Sequence, residues 1–111
     1  MTPDDFRRLA LALPRAEPNA HMGHPDFRVG GKIFASLDGG GTQGGLKLSP
    51  EQQEMLMDAV PGQFSPAAGA WGRRGWTMMR LDGIDEPTVT SALTMAWRNT
   101  APPKLLRELG V

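Results

Sequence analysis

Residues 69–77 carry the clearest binding chemistry in this chain of 111 residues. Trp71 and Trp76 bracket Arg73 and Arg74 on a glycine-rich stretch. Guanidinium groups hold phosphates through paired hydrogen bonds and also stack on aromatic rings. The combination therefore predicts a loop that contacts a nucleic-acid backbone, a nucleotide or an acidic partner. A structural interpretation stays open beside it, in which Trp76 is a core residue and the arginines pair with nearby acids.

Basic residues in segments with a strand pattern extend this prediction. Arg28, Lys32, Lys47 and Arg80 are expected to add to one positive face. The chain has no net charge, with 12 Lys plus Arg against 12 Asp plus Glu, so a polyanion is attracted by a local patch and not by the whole molecule. The predicted nucleic-acid-binding residues are Lys32, Lys47, Arg73, Arg74 and Trp76.

Two histidines and an aspartate lie close together in the sequence, at His21, His24 and Asp26. A His-x-Asp pair is half of the facial triad that binds non-haem iron. In an extended segment, residues three apart point to opposite sides, so these histidines are not expected to share a metal. We interpret them as polar residues at a strand entrance, with His24-Pro25-Asp26 forming a turn. Elemental analysis is expected to find no stoichiometric zinc or iron.

The residues that catalysis needs are not found in a recognisable arrangement. The chain has no cysteine and no serine in a nucleophile elbow, and no histidine remains as a base if His21 and His24 do not serve. We therefore expect a protein that is not an enzyme.

A glycine motif, Gly39-x-Gly41-x-x-Gly44, matches the dinucleotide-binding fingerprint letter for letter. That fingerprint requires a helix directly after the glycines, so that the helix N-terminus faces the pyrophosphate. Here the next residues, 46–48, are strand-like. We interpret the motif as a mobile loop and expect no cofactor.

The length of 111 residues is typical of one domain, so residues 1–111 are predicted to form a single unit. The absence of cysteine fits a reducing compartment. The start of the chain is acidic, unlike an export signal, and no apolar run is long enough to span a bilayer. We expect a cytoplasmic protein that does not contact membranes.

Three helices are marked by their start signals. Thr2-Pro3 and Ser49-Pro50 each combine a hydroxyl cap with a proline at the first helical position, and a third helix begins near Asp85. Leu105, Leu106 and Leu109 indicate a short closing helix. The residues predicted on buried stripes are Phe6, Leu9, Ala10 and Leu13, then Met55, Leu56 and Ala59, then Val89, Leu93, Ala96 and Trp97.

Alternation with a period of two predicts strands over residues 26–29 and 32–37, joined by a tight turn at Gly30-Gly31. Further strands are predicted over 45–48, 63–67 and 76–81, and Pro66 places the middle one at an edge. Strands grouped between helices indicate an α+β fold in two layers, with a mostly antiparallel sheet and helices packed on one face. The predicted core contains Leu9, Leu13, Phe27, Phe34, Leu48, Leu56, Leu81 and Leu93.

Several segments together resemble the MmcQ/YjbR family, and the likeness runs over almost the whole chain. These segments are residues 24–35, 46–51 and 72–77, together with Ala96-Trp97 and Ala101-Pro102. The resemblance implies the order αβββαββα, a likeness to secretion chaperones and a DNA-binding label. The positions that match the family pattern as a shared surface are Lys32 and residues 73–76. The family often has tyrosine where Trp97 stands, a change that keeps an aromatic ring.

Two functions are therefore expected as alternatives. The first is a DNA-binding or otherwise phosphate-binding module that uses the Trp/Arg loop. The second is an adaptor that holds a protein partner or a second copy on an apolar sheet face or edge. A two-residue turn gives the hairpin two apolar faces, with Phe27, Val29 and Phe34 on one and Ile33, Ala35 and Leu37 on the other.

Overall fold

A computed structural model describes residues 1–110, which form five helices and six strands. The helices are α1 (Pro3–Leu11), α2 (Pro50–Ala59), α3 (Gly69–Arg73), α4 (Glu86–Thr100) and α5 (Pro103–Leu109). The strands are β1 (Glu17–His21), β2 (His24–Val29), β3 (Lys32–Leu37), β4 (Gln43–Lys47), β5 (Phe64–Pro66) and β6 (Trp76–Arg80). The predicted α+β class is confirmed, and β1 and α3 are additions to the predicted order.

The helices begin where the sequence signals place them. The Asp5 amide donates to Thr2 Oγ1 at 3.1 Å, while the Thr2 amide donates to Asp5 Oδ2 at 3.1 Å. Ser49 and Gln52 form the same reciprocal capping box at α2. These bonds satisfy amides that have no partner inside the helix, so each start is fixed locally.

The strands form one antiparallel sheet in the order β1-β2-β3-β4-β6-β5. Strand β5 lies at an edge, as predicted, and it ends at Pro66. Strand β1 forms the other edge, and all five of its residues are exposed. Residues from α1, α2, α4 and α5 meet those of the sheet in a single apolar core, so these helices cover one sheet face.

Most of the predicted core is buried, with two corrections. Leu13 is half-buried at its margin. In α2, Leu56 is buried, whereas Met55 is 48 % exposed and Ala59 is also exposed. The inward stripe of this helix includes the polar residue Gln53, which donates hydrogen bonds to the chain around β6. Because this inward-facing residue is polar, the apolar pattern of the sequence did not indicate which face of α2 is buried.

A β-bulge changes the expected faces of the β2–β3 hairpin. Arg28 pairs with Ile33, but the next pair is Phe27 with Ala35, so Phe34 is an extra residue in β3. Beyond a bulge the alternation is shifted by one residue. Both Phe34 and Ala35 are fully buried, and Leu37 is buried as well. The prediction that Ala35 and Leu37 share a face with Ile33 is therefore wrong, and the outer face is less apolar than expected.

The glycine motif lies in a turn and a strand. Gly44 is within β4, which continues to Lys47 with no helix directly after Gly44. A Cβ atom at Gly44 would lie 2.5 Å from the Phe6 ring, so glycine here lets α1 pack closely on the sheet. The motif thus serves packing and strand pairing.

Within residues 1–110, no helix is long and apolar enough to cross a membrane.

Replacing Leu93 by alanine is expected to lower the free energy of unfolding by about 2 to 5 kcal/mol, because a buried leucine loses its contacts and leaves a cavity. Leu93 is 1 % exposed in the centre of α4. The measurement is urea denaturation followed by circular dichroism. Met55→Ala is the matched control and should have a much smaller effect than Leu93→Ala, since Met55 is 48 % exposed and lies outside the core. Equal effects of the two substitutions would contradict the assigned core.

Candidate functional site

A groove of about 1000 Å³ lies on the sheet face opposite the core, and we call it the outer-face groove. Its floor is formed by β2, β3, β4 and β6, with the β1–β2 turn at one side and α3 at the other. Its basic lining residues are His21, Arg28, Lys32, Lys47 and Arg74, and its larger apolar ones are Met22, Ile33, Leu48, Trp71 and Trp76. Within residues 1–110, no aspartate or glutamate lines it.

Trp76 is held across the floor of the groove by its neighbours in the sheet. Its backbone pairs with Lys47 of β4, so the two side chains extend from the same face. A Cβ atom at Gly45 would lie 3.0 Å from the Trp76 ring and 2.6 Å from Ser36 Oγ. Glycine at position 45 therefore leaves the room that the indole occupies. Trp76 is half-buried and keeps part of its ring accessible.

The wall that carries Trp71 and Arg74 depends on two close backbone contacts. A Cβ atom at Gly72 would overlap the carbonyl oxygen of Ala67, and one at Gly75 would overlap that of Leu48. Gly75 also has a φ of +112°, which favours glycine. Gly72 and Gly75 therefore let α3 pack tightly beside β6.

Gln53 of α2 fixes the same wall from the core side. Its side-chain amide donates to the carbonyl oxygens of Gly72 and Trp76, each at 3.2 Å, and to Thr77 Oγ1 at 3.0 Å. The Thr77 hydroxyl donates to the Gly75 carbonyl at 2.7 Å. These bonds hold the backbone on both sides of Arg74, so the wall is a fixed scaffold for exposed side chains.

Trp71 and Arg74 form an exposed cation–π pair at the groove wall. The guanidinium carbon of Arg74 lies 5.9 Å from the centre of the Trp71 ring. Trp71 is 67 % exposed, which is unusual for so large an apolar side chain. Arg73 is also exposed, but it lies outside the groove lining. Of the predicted binding residues, the structure thus gathers Lys32, Lys47, Arg74 and Trp76 in one groove and leaves Arg73 apart.

A buried carboxylate holds two of the basic lining residues. Asp26 is fully buried, and its Oδ1 accepts from Arg28 Nε at 2.9 Å while its Oδ2 accepts from Arg28 Nη2 at 3.1 Å. His21 Nδ1 lies 2.8 Å from Asp26 Oδ2. Burial raises the pKa of Asp26, but the hydrogen bonds from Arg28 and His21 outweigh it, so the pKa is lowered overall. Since an ionised carboxylate only accepts hydrogen bonds, His21 Nδ1 carries a proton.

The geometry predicted for the two histidines is wrong. His21 and His24 pair across the β1–β2 turn, and their rings lie 6.2 Å apart in a nearly stacked arrangement. The prediction failed because the chain reverses at Met22 and Gly23, where both φ angles are positive. His24 and Asp26 lie in β2, not in a turn. In residues 1–110, no group of three or more His, Asp or Glu side chains is arranged to hold a metal ion.

Three lining cations have no carboxylate partner in the described part of the chain. Lys32, Lys47 and Arg74 are exposed, and no acidic group of residues 1–110 lies within 4.0 Å of them. Asp26 accounts for the charge of Arg28. The groove therefore presents unneutralised positive charge beside accessible indole rings.

A second concavity, of about 510 Å³, lies between α2 and α4. It is lined mostly by uncharged polar side chains with a single cation, Arg98. The amide of Asn99 is already used, since it donates to Gln52 Oε1 at 2.7 Å and to the Lys47 carbonyl at 3.0 Å. This concavity offers few groups to a ligand, so the outer-face groove is the candidate site.

Replacing Asp26 by asparagine is expected to destabilise the protein at neutral pH by about 1 to 3 kcal/mol, because Arg28 and His21 lose an ionised acceptor. The folded-state pKa of Asp26 is lowered, so its contribution is present above the unfolded value of about 3.9 and is lost as the pH falls below it. The stability difference between parent and variant should thus shrink as the pH is lowered from about 5 to 3.

Denaturation across this pH range measures the difference directly. Asp58→Asn is the control, since Asp58 is an exposed acid whose removal should give a small difference. A parent–variant difference for Asp26 that stays constant as the pH falls would contradict the assigned role of the carboxylate.

Comparison with known proteins supports the fold and identifies the family. The similar solved structures include the two that follow, each at an identity that shows the fold alone. Deinococcus radiodurans protein DR2400, described with a DUF419 domain, has a TM-score of 0.77 and 23 % identity, covering 99 % of this chain and 88 % of its own. A Pseudomonas syringae protein has a TM-score of 0.69 and 18 % identity, covering 90 % and 99 %. No curated protein matches the chain.

The family assignment rests on the sequence itself. The YjbR family model matches residues 11–99, which include the groove floor, the wall with Trp71 and Arg74, and most of α4. The matched region is well over half of the chain. This protein belongs to the YjbR family.

Proposed function

We propose that the outer-face groove binds a phosphate-bearing ligand, and that this ligand is nucleic acid. The observation that carries the proposal is the set of Lys32, Lys47 and Arg74 around Trp71 and Trp76, with no acidic residue in the lining within residues 1–110. Ammonium and guanidinium groups neutralise phosphates, while indole rings offer faces to bases. The DNA-binding label implied by the sequence resemblance also favours nucleic acid as the ligand.

The charge of the protein limits how strongly such a ligand is held. The whole chain has zero net charge, so attraction acts over the short range of the groove. Three unpaired cations correspond to roughly three phosphate contacts. We expect dissociation constants no tighter than about 10⁻⁵ M at physiological salt, in the range of non-specific binding. A cytoplasmic location, where nucleic acid is available, is part of this proposal.

We propose a binding role and not a catalytic one. The His21–Asp26 pair has the form of an oriented general base, since a buried carboxylate fixes one ring nitrogen. A nucleophile is the missing component, because in residues 1–110 no hydroxyl group is hydrogen-bonded to the His21 ring. We assign His21 to the wall of the binding groove.

The adaptor alternative receives less support from the geometry. The bulge in β3 moves Ala35 and Leu37 into the core, which leaves Ile33 as the apolar residue of β3 in the groove. The exposed edge β1 is short and contains Pro18, which has no amide hydrogen for pairing with an added strand. An apolar protein segment would also have to desolvate the unpaired cations of the groove.

Replacing Arg74 by alanine is expected to weaken binding of a short fluorescent DNA, because one phosphate contact is lost. The slope of log affinity against log salt should become shallower by about 0.7 to 0.9, the value for a single contact. Fluorescence anisotropy from about 50 to 200 mM salt gives both quantities.

Arg73→Ala is the matched control, since it removes the same charge from the adjacent residue outside the groove. It should leave the affinity and the slope close to those of the parent. Equal effects of the two substitutions would show general charge attraction and contradict the groove. Flat titrations with folded protein at low salt would favour the adaptor.

A further inference from the structure

Two of the exposed apolar side chains of this protein border the groove and need an explanation that phosphate binding does not give. Met22 is 93 % exposed and Trp71 is 67 % exposed, and they line opposite sides of the groove. Keeping such side chains in water is unfavourable, and exposed apolar patches often mark interaction sites. A ligand made of phosphates alone would gain nothing from them.

The backbone holds Met22 in an uncommon conformation. Met22 has a φ of +49°, and a positive φ is rare for residues other than glycine, asparagine and aspartate. The β1–β2 turn therefore holds a large apolar side chain at a position where a small polar residue is favoured. Local strain of this kind occurs often at ligand-binding sites.

The cations and the apolar groups alternate within the groove. Lys47 is directly opposite Trp76 in the sheet, Arg28 is opposite Ile33, and Arg74 lies against the Trp71 ring. A ligand that satisfies this arrangement has negative charges and flat apolar rings at short, repeated intervals. In a duplex the base faces are stacked inside and closed to such contacts, whereas in a single strand they are accessible.

We infer that the groove binds single-stranded nucleic acid, with bases stacked on Trp71 and Trp76 and phosphates held by Lys47, Arg74 and Lys32. This inference rests on the proposed function and specifies its ligand. The four strands of the floor span about 14 Å at the usual strand spacing of about 4.8 Å. At about 3.4 Å per stacked nucleotide this accommodates about four nucleotides.

The recognition has no base-specific element. Stacking on an aromatic ring accepts every base, and phosphate contacts carry no sequence information. The shared chemistry of unpaired bases on a phosphate chain fits single-stranded DNA and single-stranded RNA alike.

The test compares four fluorescent probes that carry the same number of phosphates, using the intact protein at about 50 mM salt. These are oligothymidine, oligouridine, an abasic deoxyribose-phosphate strand of the same length, and a duplex. Oligothymidine or oligouridine should bind more tightly than the abasic strand and the duplex, with a salt slope near −2 for about three contacts at −0.7 each.

Variants of Trp71 test the stacking itself. Trp71→Ala should weaken oligothymidine or oligouridine binding about 5- to 150-fold, the factor for one base–aromatic contact, and should leave abasic-strand binding within about twofold of the parent. Trp71→Phe keeps a ring and should restore part of the loss. Met55→Ala removes an exposed apolar side chain outside the groove and is the control.

The outcomes separate this inference from the proposed function. Abasic and base-bearing strands that bind equally, or a duplex that binds more tightly than both single strands, would overturn the single-strand inference. Salt-dependent binding through Arg74 would then leave the proposed function in place. If none of the four probes binds to folded protein, both the single-strand inference and the proposed function are wrong.

Discussion

Gly44 and Gly45 have no side chains, and aromatic rings occupy the space that this leaves on the two faces of the sheet. The Phe6 ring of α1 lies against Gly44 on the core face, and Trp76 lies against Gly45 on the outer face. A side chain at either position would push one ring away from the sheet. The close approach of α1 therefore depends on Gly44, and the floor of the groove depends on Gly45. Because these two glycines are adjacent, the packing of the core and the shape of the site are linked.

The sequence predicted those elements whose signals are local. Capping boxes, the Gly30-Gly31 turn and the apolar stripe of α4 each involve residues close together in the chain, and all are present in the structure. The elements that were missed lack such signals. Strand β1 is entirely exposed and shows no apolar alternation, so its pairing with β2 defines it. Helix α3 has five residues, and no side chain caps its N-terminus at Ala68.

The site could be predicted in residue type better than in arrangement. The sequence indicates Trp76, Lys47 and Arg74 because tryptophan and basic side chains are the residue types that bind bases and phosphates. Their convergence depends on strand order and register, which a single sequence does not specify. Arg73 and Arg74 look equivalent in the sequence, yet one lines the groove and the other does not. The role of Asp26 was also missed, because one of its partners, His21, lies across a turn that the sequence signals did not reveal.

The buried carboxylate shows how a protein without net charge presents a positive surface. Asp26 is buried and does not line the groove, but it holds the Arg28 guanidinium and the His21 ring, which do. Its lowered pKa keeps it ionised at neutral pH. Asp26 therefore offsets the charge of Arg28 and holds that guanidinium in a fixed position. The charge offered to a ligand comes from Lys32, Lys47 and Arg74, which lack such partners in residues 1–110. The part of the groove around Arg28 is thus held in place and nearly neutral, while the part that contains Lys32, Lys47 and Arg74 is positive and solvated.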